Sequence, residues 1–399
     1  MDVYIYDAVR TPRGSTRKNG SLKEIEPVEL VAQLLQALEE RTHSLLEQTE
    51  DVVLGCVTQI KDQGSNIAKT AALYAGMPYT VPGITVTRLC TSGLDAVAIA
   101  ANKVRSGSDD LILAGGVESV SRVPMFADEG AWFANPKISD ITKFIHMGLS
   151  ADLIGTIEHH QRAELDGYAV QSHQRAANAT RNAVFSNSLI PVKNKDGTTL
   201  LAQDELIRPD TTLQSLATLE PSFEKFITAK QRAMVEEEFE GITAIEHLHH
   251  VGNSPSLADG ASLIAVGSKA VQAKLGISPI ARIIDSTNAS DHPMLLIGGQ
   301  KAAEKLLAKH NLTIEDMDVI EFYEAYASTT LKAINDWQVD SEKFNPNGGV
   351  LAMGHALGAT GAMMVCTLID ELKRKNGKYG LVVLSGGGGV GTAMIIENL

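Results

Sequence analysis

The sequence has few cysteines, no excess of positive charge and no long apolar run. Three cysteines in 399 residues (Cys56, Cys90 and Cys366) are too few for a disulfide framework and indicate a reducing compartment. The net charge of −13 argues against nucleic acid or an anionic membrane as the main partner. No apolar run is long enough to span a bilayer, and residues 1–10 alternate like a strand and show no signal-peptide pattern. We therefore expect a cytoplasmic protein.

The segment around Cys90 is the first candidate for chemistry. Residues 81–86 predict a loop entering a short strand, and residues 94–104 predict a buried helix because they are small and apolar on nearly every face. Cys90 would then lie at a strand-to-helix turn, where free N–H groups and the helix dipole lower the pKa of a thiol and make it a nucleophile. The alternative, a small buried hydrophobic residue, is the commoner one for a single Cys.

The order of predicted elements occurs twice along the chain. Each series runs strand, helix, strand, helix, loop, helix, strand. The first series comprises residues 3–9, 26–41, 51–57, 66–76, the Cys90 turn, 94–104 and 110–116. The second comprises residues 281–285, 300–310, 318–322, 327–337, 345–361, 363–373 and 379–386. This repetition predicts two similar α/β halves with mostly parallel sheets, and sites at the carboxyl ends of their strands.

Between the halves the pattern breaks, over about residues 121–251. Residues 122–145 mix Pro, Gly, Trp and Phe and predict an irregular excursion, whereas residues 150–185 predict helix and residues 204–220 a loop. We interpret this stretch as an inserted domain that forms part of a pocket or a subunit contact.

Two glycine-rich clusters in the second half contain further candidates. Residues 347–361 surround His355 with glycines, which let the backbone approach a ligand or another segment closely. Histidine is the usual base that activates a thiol, although a single His is more often a structural residue. The second cluster, residues 385–391, follows a predicted strand and by itself is weak evidence for a phosphate site.

Taken together, these motifs resemble the thiolase family of CoA-dependent Claisen enzymes. The resemblance covers nearly the whole chain and rests on the Cys90 turn together with residues 8–12, 115–119, 146–151, 208–213, 252–254 and 348–361. It implies a five-layer αβαβα sandwich of two similar halves plus an inserted loop domain. The expected boundaries are residues 1–120 with 252–272 for the N-terminal half, 121–251 for the loop domain and 273–399 for the C-terminal half. A homodimer or homotetramer is expected.

The resemblance also implies roles for individual residues. Cys90 would accept the acyl group as a thioester, and His355 would activate it. The N–H groups of Cys90 and Gly387 would form an oxyanion hole. The residues expected to contact CoA are His146, Met147, Arg208 and Ser254. Acyl-CoA and CoA would be substrates, and no permanently bound cofactor is implied.

The sequence departs from the family pattern at two positions that concern chemistry. The family usually has a second reactive Cys where this chain has Ser385, and an Asn-Glu-Ala-Phe motif where this chain has Tyr323-Glu324-Ala325-Tyr326. An alcohol is a much weaker acid than a thiol, so Ser385 is a poor substitute in proton transfer at the α-carbon. Tyr323 would either donate its hydroxyl to an oxyanion or fill the place of a bound water. Two other departures are Ala356, where Pro is usual, and the acidic Glu220, where a basic residue is common.

Three histidines before residue 252 raise the question of a metal. His247, His249 and His250 are closely spaced, but no Cys or carboxylate shares the spacing, so we expect no metal site. The predicted function is acyl transfer through acyl-Cys90, either 3-ketoacyl-CoA thiolysis or acetoacetyl-CoA formation. The alternative is a degenerate protein of the same fold that binds acyl-CoA or a partner enzyme without full turnover.

Overall fold

A computed structural model describes all 399 residues. It contains twelve strands and fifteen α-helices, with short 3₁₀ turns at Lys61–Gln63, Glu224–Phe226, Leu357–Ala359 and Gly387–Gly389. The strands are β1 (Val3–Arg10), β2 (Gly14–Ser15), β3 (Asp51–Gly55), β4 (Ile84–Val86), β5 (Leu111–Glu118), β6 (Val192–Lys193), β7 (Thr199–Leu201), β8 (Ala258–Gly267), β9 (Ala281–Ser290), β10 (Val319–Phe322), β11 (Tyr379–Ser385) and β12 (Val390–Asn398).

The helices alternate with the strands in both halves. They are α1 (Pro27–Arg41), α2 (Leu45–Gln48), α3 (Ile67–Tyr74), α4 (Ser92–Ser106), α5 (Ala131–Ala134), α6 (Pro136–Ile141), α7 (Met147–Ile157), α8 (Arg162–Arg181), α9 (Leu213–Ala217), α10 (Ala229–Glu238), α11 (Ala270–Leu275), α12 (Gly298–Lys309), α13 (Ala327–Trp337), α14 (Val350–Met353) and α15 (Thr360–Lys375). No helix is both long and apolar enough to cross a membrane.

The layers of the sandwich follow from the alternation of side chains along each strand. In β3, Val52 and Leu54 pack in a core with α1 and α3, whereas Val53 faces a second core built around α4 and α15. In β11, Val382 faces the same central core, whereas Leu381 and Val383 pack in a third core with α12 and α13. Successive side chains of a strand point to opposite faces, so each half-sheet lies between two helical layers. The predicted α/β five-layer fold is confirmed.

The sheet itself is mixed, and the prediction of mostly parallel strands is wrong. The main sheet has the order β10-β11-β12-β9-β1-β8-β5-β3-β4, and only β10·β11, β3·β5 and β3·β4 are parallel. Strands β8 and β12, which the periodicity did not reveal, run antiparallel to their neighbours. The length of the connections explains the antiparallel pairing, most clearly at β12. Only Gly386–Gly389 separate β12 from β11, and two neighbouring parallel strands need a much longer crossover.

The stretch predicted as an inserted domain, residues 121–251, contacts both halves, and Asp204 pairs with Arg10 of β1 at 2.9 Å. The single helix predicted over residues 150–185 is two helices, α7 and α8. Gln161 is the N-cap residue of α8, and its backbone N–H donates a hydrogen bond of 2.8 Å to the carboxylate of Glu164. The carboxylate of Glu324 joins this stretch to the C-terminal half by accepting hydrogen bonds from Tyr168 (2.6 Å) and Ser172 (2.9 Å) on α8. The insertion is thereby held close to the residues that follow β10.

Candidate active site

One cavity of about 270 Å³ brings together residues that lie far apart in the sequence. Cys90 and Tyr323 each follow a strand, Ser385 ends one, and His355 comes from the loop between α14 and α15. The lining residues include no Lys, Arg, Asp or Glu. Residues 121–251 and the segment after them also contribute to the lining, with His146, Met147, Ser222, Phe223, Val251 and Ser254. The cavity is therefore largely apolar, with a few polar groups at fixed positions, as is typical of a ligand site.

Cys90 lies at the turn before α4 and is half-buried. The preceding residue, Leu89, has φ of +53°, a conformation that is costly for a residue with a side chain and that recurs at functional turns. Burial raises the pKa of the Cys90 thiol to about 11, although hydrogen bonds from the Gly387 N–H, the Tyr323 hydroxyl and its own N–H act in the opposite direction. The expected lowering of this pKa is wrong, because desolvation in an apolar cavity outweighs the donors at the helix end.

His355 is buried, and its two ring nitrogens differ in their partners. Nδ1 lies 2.8 Å from the Thr360 hydroxyl, whereas Nε2 has no hydrogen-bond partner. Burial, together with the positive charge of Arg13, lowers the pKa of His355 to about 3. The imidazole is therefore neutral at physiological pH, with one free nitrogen available to accept or donate a proton in the cavity.

Tyr323 contacts both of these residues. Its ring centroid lies 4.9 Å from that of His355, and its hydroxyl lies close enough to the Cys90 sulfur in the cavity for each group to affect the pKa of the other. Burial raises the pKa of Tyr323 well above its ordinary value, so the phenol stays protonated as a donor.

Ser385 ends β11 and is buried in the wall of the same cavity. Its Oγ accepts a hydrogen bond of 3.0 Å from the N–H of Gly299, near the beginning of α12. A Cβ on Gly299 would come within 2.5 Å of Leu384 backbone atoms, so glycine is required for this close approach. The hydroxyl proton of Ser385 is left free for another acceptor.

The expected CoA-contacting residues divide into two groups. His146, Met147 and Ser254 line the cavity, and the buried Oγ of Ser254 has no hydrogen-bond partner. The ring of His146 stacks on Phe226, with centroids 4.6 Å apart. Arg208 is exposed, lies outside the cavity lining and contacts His173 through its N–H.

Comparison with known proteins agrees with this arrangement. The thiolase N-terminal domain model matches residues 3–236, and the thiolase C-terminal domain model matches residues 277–398. A beta-ketoadipyl-CoA thiolase of Pseudomonas aeruginosa is 37% identical, and a 3-ketoacyl-CoA thiolase of Salmonella typhimurium is 36% identical. Each alignment covers 100% of this chain and 99% of the relative. The chain belongs to the thiolase family. It is a thiolase-type acyl-CoA acyltransferase.

A solved thiolase-fold structure supports the same assignment. The crystal structure of the Bacillus anthracis acetyl-CoA acetyltransferase superposes with a TM-score of 0.86 and 32% sequence identity. The alignment covers 100% of this chain and 99% of that one. The likeness therefore includes both halves and the insertion.

This thiolase has two further aromatic residues at its site that carry no predicted role. Tyr326 lines the cavity, and its phenol packs edge-on to Phe223, with ring centroids 5.7 Å apart. Trp132 lies against the glycine cluster, since a Cβ on Gly387 would be 3.0 Å from its ring. Tyr326 ends the Tyr323–Tyr326 motif and Trp132 lies in the irregular excursion 122–145, and only the folded chain shows that each lines a cavity that contains Cys90.

The three histidines considered for a metal have other partners. His247 and His249 each place Nδ1 within 2.9 Å of the buried carboxylate of Asp152, and His250 lies 2.8 Å from Asp166. No group of three or more His, Cys, Asp or Glu side chains is placed to hold a metal ion. These contacts join the segment before residue 252 to α7 and α8.

Proposed function

We propose that this thiolase cleaves 3-ketoacyl-CoA with free CoA through an acyl-Cys90 intermediate, and that the same steps in reverse form acetoacetyl-CoA. The observation that carries the proposal is the cavity that Cys90, Gly387 and His355 line together, with Nε2 of His355 unpartnered. The N–H groups of Cys90 and Gly387 would form the oxyanion hole for the thioester oxygen, and removal of one such donor typically costs about 3 kcal/mol.

In the first half-reaction, the Cys90 sulfur attacks the C3 carbonyl while His355 Nε2 takes the thiol proton. The C2–C3 bond breaks, C3 stays on sulfur as a thioester, and C2 gains a proton to give acetyl-CoA. In the second half-reaction the thiol of CoA attacks the thioester and Cys90 leaves, taking a proton back. We assign the movement of the proton on C2 to Ser385, which lines the cavity, and the Tyr323 hydroxyl would be an additional donor there.

The remaining polar groups fit the CoA arm. The unpartnered hydroxyl of Ser254 is available for a pantetheine amide, and Met147 with the stacked His146 provides an apolar border. Arg208, outside the cavity, would contact CoA nearer its nucleotide end.

Covalent loading of Cys90 is the direct test. Incubation with acetyl-CoA followed by intact mass measurement should show one acetyl adduct on the wild type and none on Cys90→Ala. Cys366→Ala is the matched control, because that thiol is fully buried and should leave loading unchanged. An adduct that persists in Cys90→Ala, or a wild type that forms none at alkaline pH, would refute the role of Cys90.

A second candidate function is acyl-CoA binding without carbon–carbon bond cleavage. It is favoured by the alcohol at Ser385, which stands in the cavity where proton transfer would occur and is a weak acid. The two candidates differ in one assay, the loss of acetoacetyl-CoA absorbance on addition of CoA. If acetyl-Cys90 forms but acetoacetyl-CoA is not cleaved, the binding function holds.

We also propose a cytoplasmic homo-oligomer that acts in fatty acid β-oxidation. The three free cysteines support a reducing compartment. Strand β4 is an edge strand paired only with β3, and Ile84 on it is 45% exposed; Leu73, Tyr74 and Tyr79 are also exposed. An exposed apolar edge strand suits pairing with a second copy. Light scattering should give a dimer or tetramer mass, and Ile84→Lys should lower it, whereas a monomeric wild type would refute the proposal.

A further inference from the structure

A second cavity of about 140 Å³ adjoins the first at Cys90. The two share Cys90, Met125, Met147, Leu357 and Gly387. The second cavity is lined further by Val57, Thr58, Thr87, Leu89, Phe126, Asp128, Trp132 and Phe133. None of these is Lys, Arg or His, and Asp128 is the single charged residue.

The excursion that follows β5 builds the outer wall of this side cavity. Phe126 and Phe133 pack with ring centroids 4.4 Å apart, and Trp132 packs edge-on against Phe144 at 4.8 Å. Trp132 also lies against Gly387, which lines both cavities together with Cys90. The wall is therefore fixed against the nucleophile and does not form a separate surface groove.

We propose that this side cavity holds the tail of the acyl group carried by Cys90 and that it selects 3-ketoacyl-CoA substrates with an uncharged, aliphatic tail. The inference rests on the proposed function and adds the substrate class. A chain that ends in a carboxylate, as in the beta-ketoadipyl-CoA of the relatives' names, would place an unpaired negative charge among aromatic rings and beside Asp128. Removal of an unpaired charge from water into an apolar cavity is unfavourable, so a tail of this kind should load more slowly.

The size of the cavity sets the expected chain length. A volume of 140 Å³ accommodates about four to five groups the size of a water molecule, and a methylene is of similar size. Each methylene buried in an apolar site improves binding by about fourfold. Loading of Cys90 should therefore rise from acetyl-CoA through butyryl-CoA to hexanoyl-CoA, and then stop rising when the cavity is full.

Butyryl-CoA and succinyl-CoA make a matched pair of probes, because both acyl groups have four carbons and only one ends in a carboxylate. They correspond to the acyl groups left on Cys90 by 3-oxohexanoyl-CoA and 3-oxoadipyl-CoA. Formation of the Cys90 adduct, followed by intact mass, should be at least about 100-fold faster with butyryl-CoA. This measurement does not need carbon–carbon cleavage, so it tests tail selection even if Ser385 does not support turnover.

Two variants separate the contribution of charge from that of the apolar wall. Asp128→Asn should speed succinyl loading by about two- to fivefold, as expected for an exposed charge. Glu129→Gln, an exposed neighbour outside the cavity lining, is the control and should change neither rate. Trp132→Ala should move the chain-length optimum to longer acyl groups.

Equal or faster loading by succinyl-CoA in the wild type would overturn the inference and leave the acyl-Cys90 proposal intact. A failure of every acyl-CoA to load Cys90 would overturn both. A chain-length optimum that stays unchanged in Trp132→Ala would also overturn the assignment of this cavity to the tail.

Discussion

The carboxylate of Glu118, at the end of β5, accepts a hydrogen bond of 2.9 Å from the backbone N–H of Gly358, three residues after His355. The two residues come from different halves of the chain. A Cβ on Gly358 would lie 2.9 Å from this carboxylate and 2.7 Å from Cys56. The loop between α14 and α15, which carries His355, is therefore held in place by the buried carboxylate of Glu118 from the other half of the chain.

Glu118→Gln should therefore destabilise the protein and disturb the loop that carries His355. The carboxylate also accepts from Val57 N, Thr58 N and Gln63 Nε2, and an amide cannot accept at both ends. Two unsatisfied donors give an expected loss of about 2–6 kcal/mol in the free energy of unfolding, measured by urea denaturation. Glu40→Gln, exposed on α1, is the control. Equal stability of the two variants would contradict this account.

The stability of the protein should fall as pH rises through neutrality because of Glu321. Burial, with the nearby charges of Glu371 and Glu324, raises the pKa of this carboxyl from 4.5 to about 8. Between these two values the unfolded chain loses the proton and the folded chain keeps it, so stability decreases with pH, by up to about 1.4 kcal/mol per pH unit, and levels off above pH 8.

Urea denaturation at several pH values between 5 and 8 tests this slope. Glu321→Gln carries no titrating group and should flatten the slope, whereas the exposed Glu315→Gln should leave it unchanged. Identical slopes in wild type and Glu321→Gln would show that Glu321 is ionised in the folded protein.

Alkylation of Cys90 by iodoacetamide should accelerate about tenfold per pH unit from pH 7 to 10, because the thiolate is the reactive form and the pKa of the thiol is about 11. Peptide mapping by mass spectrometry follows the rate. Cys56 and Cys366 should stay unlabelled, since both are fully buried and burial raises the pKa of each thiol, that of Cys366 to about 12. A rate that levels off below pH 9 would contradict the raised pKa.

The sequence predicted the elements with clear periodicity and missed those without it. Helix α13 has the predicted bounds of residues 327–337, since its apolar positions recur at helical spacing. Strand β8 begins Ala-Asp-Gly-Ala-Ser, which carries little strand propensity, and only its pairing with β1 and β5 makes it a strand.

The site was predictable in its nucleophile and its loops, but its electrostatics were not. Local glycine and helix patterns mark Cys90 and His355 only as separate candidates. The resemblance to the thiolase family predicts that they share one site, and both line the same cavity. The pKa of Cys90 depends on desolvation by residues such as Phe223 and Met147, which belong to an insertion that no local pattern ties to the Cys90 turn. The local sequence shows the helix end beside the sulfur, but it does not show the free-energy cost of removing water from the Cys90 thiolate.

The departure at Ser385 gives the last prediction. If proton transfer at C2 limits turnover because an alcohol stands in this position, Ser385→Cys should raise acetoacetyl-CoA thiolysis. General acid–base groups contribute about 10² to 10⁴ in rate, which is the size of the gain to look for. The replacement is nearly isosteric, and the sulfur can still accept from the Gly299 N–H that now contacts Oγ at 3.0 Å.

Loading of Cys90 by acetyl-CoA separates this effect from a general change in the site. The loading rate should be nearly equal in wild type, Ser385→Cys and Ser385→Ala, because the transfer of an acetyl group from acetyl-CoA to Cys90 forms no carbanion. Tyr323→Phe is the companion variant: it removes the hydroxyl at the Cys90 sulfur and should slow loading itself, with or without Cys at position 385. If Ser385→Cys cleaves acetoacetyl-CoA no faster than wild type while loading is intact, residue 385 does not move the C2 proton, and the chemistry of this cavity is limited elsewhere.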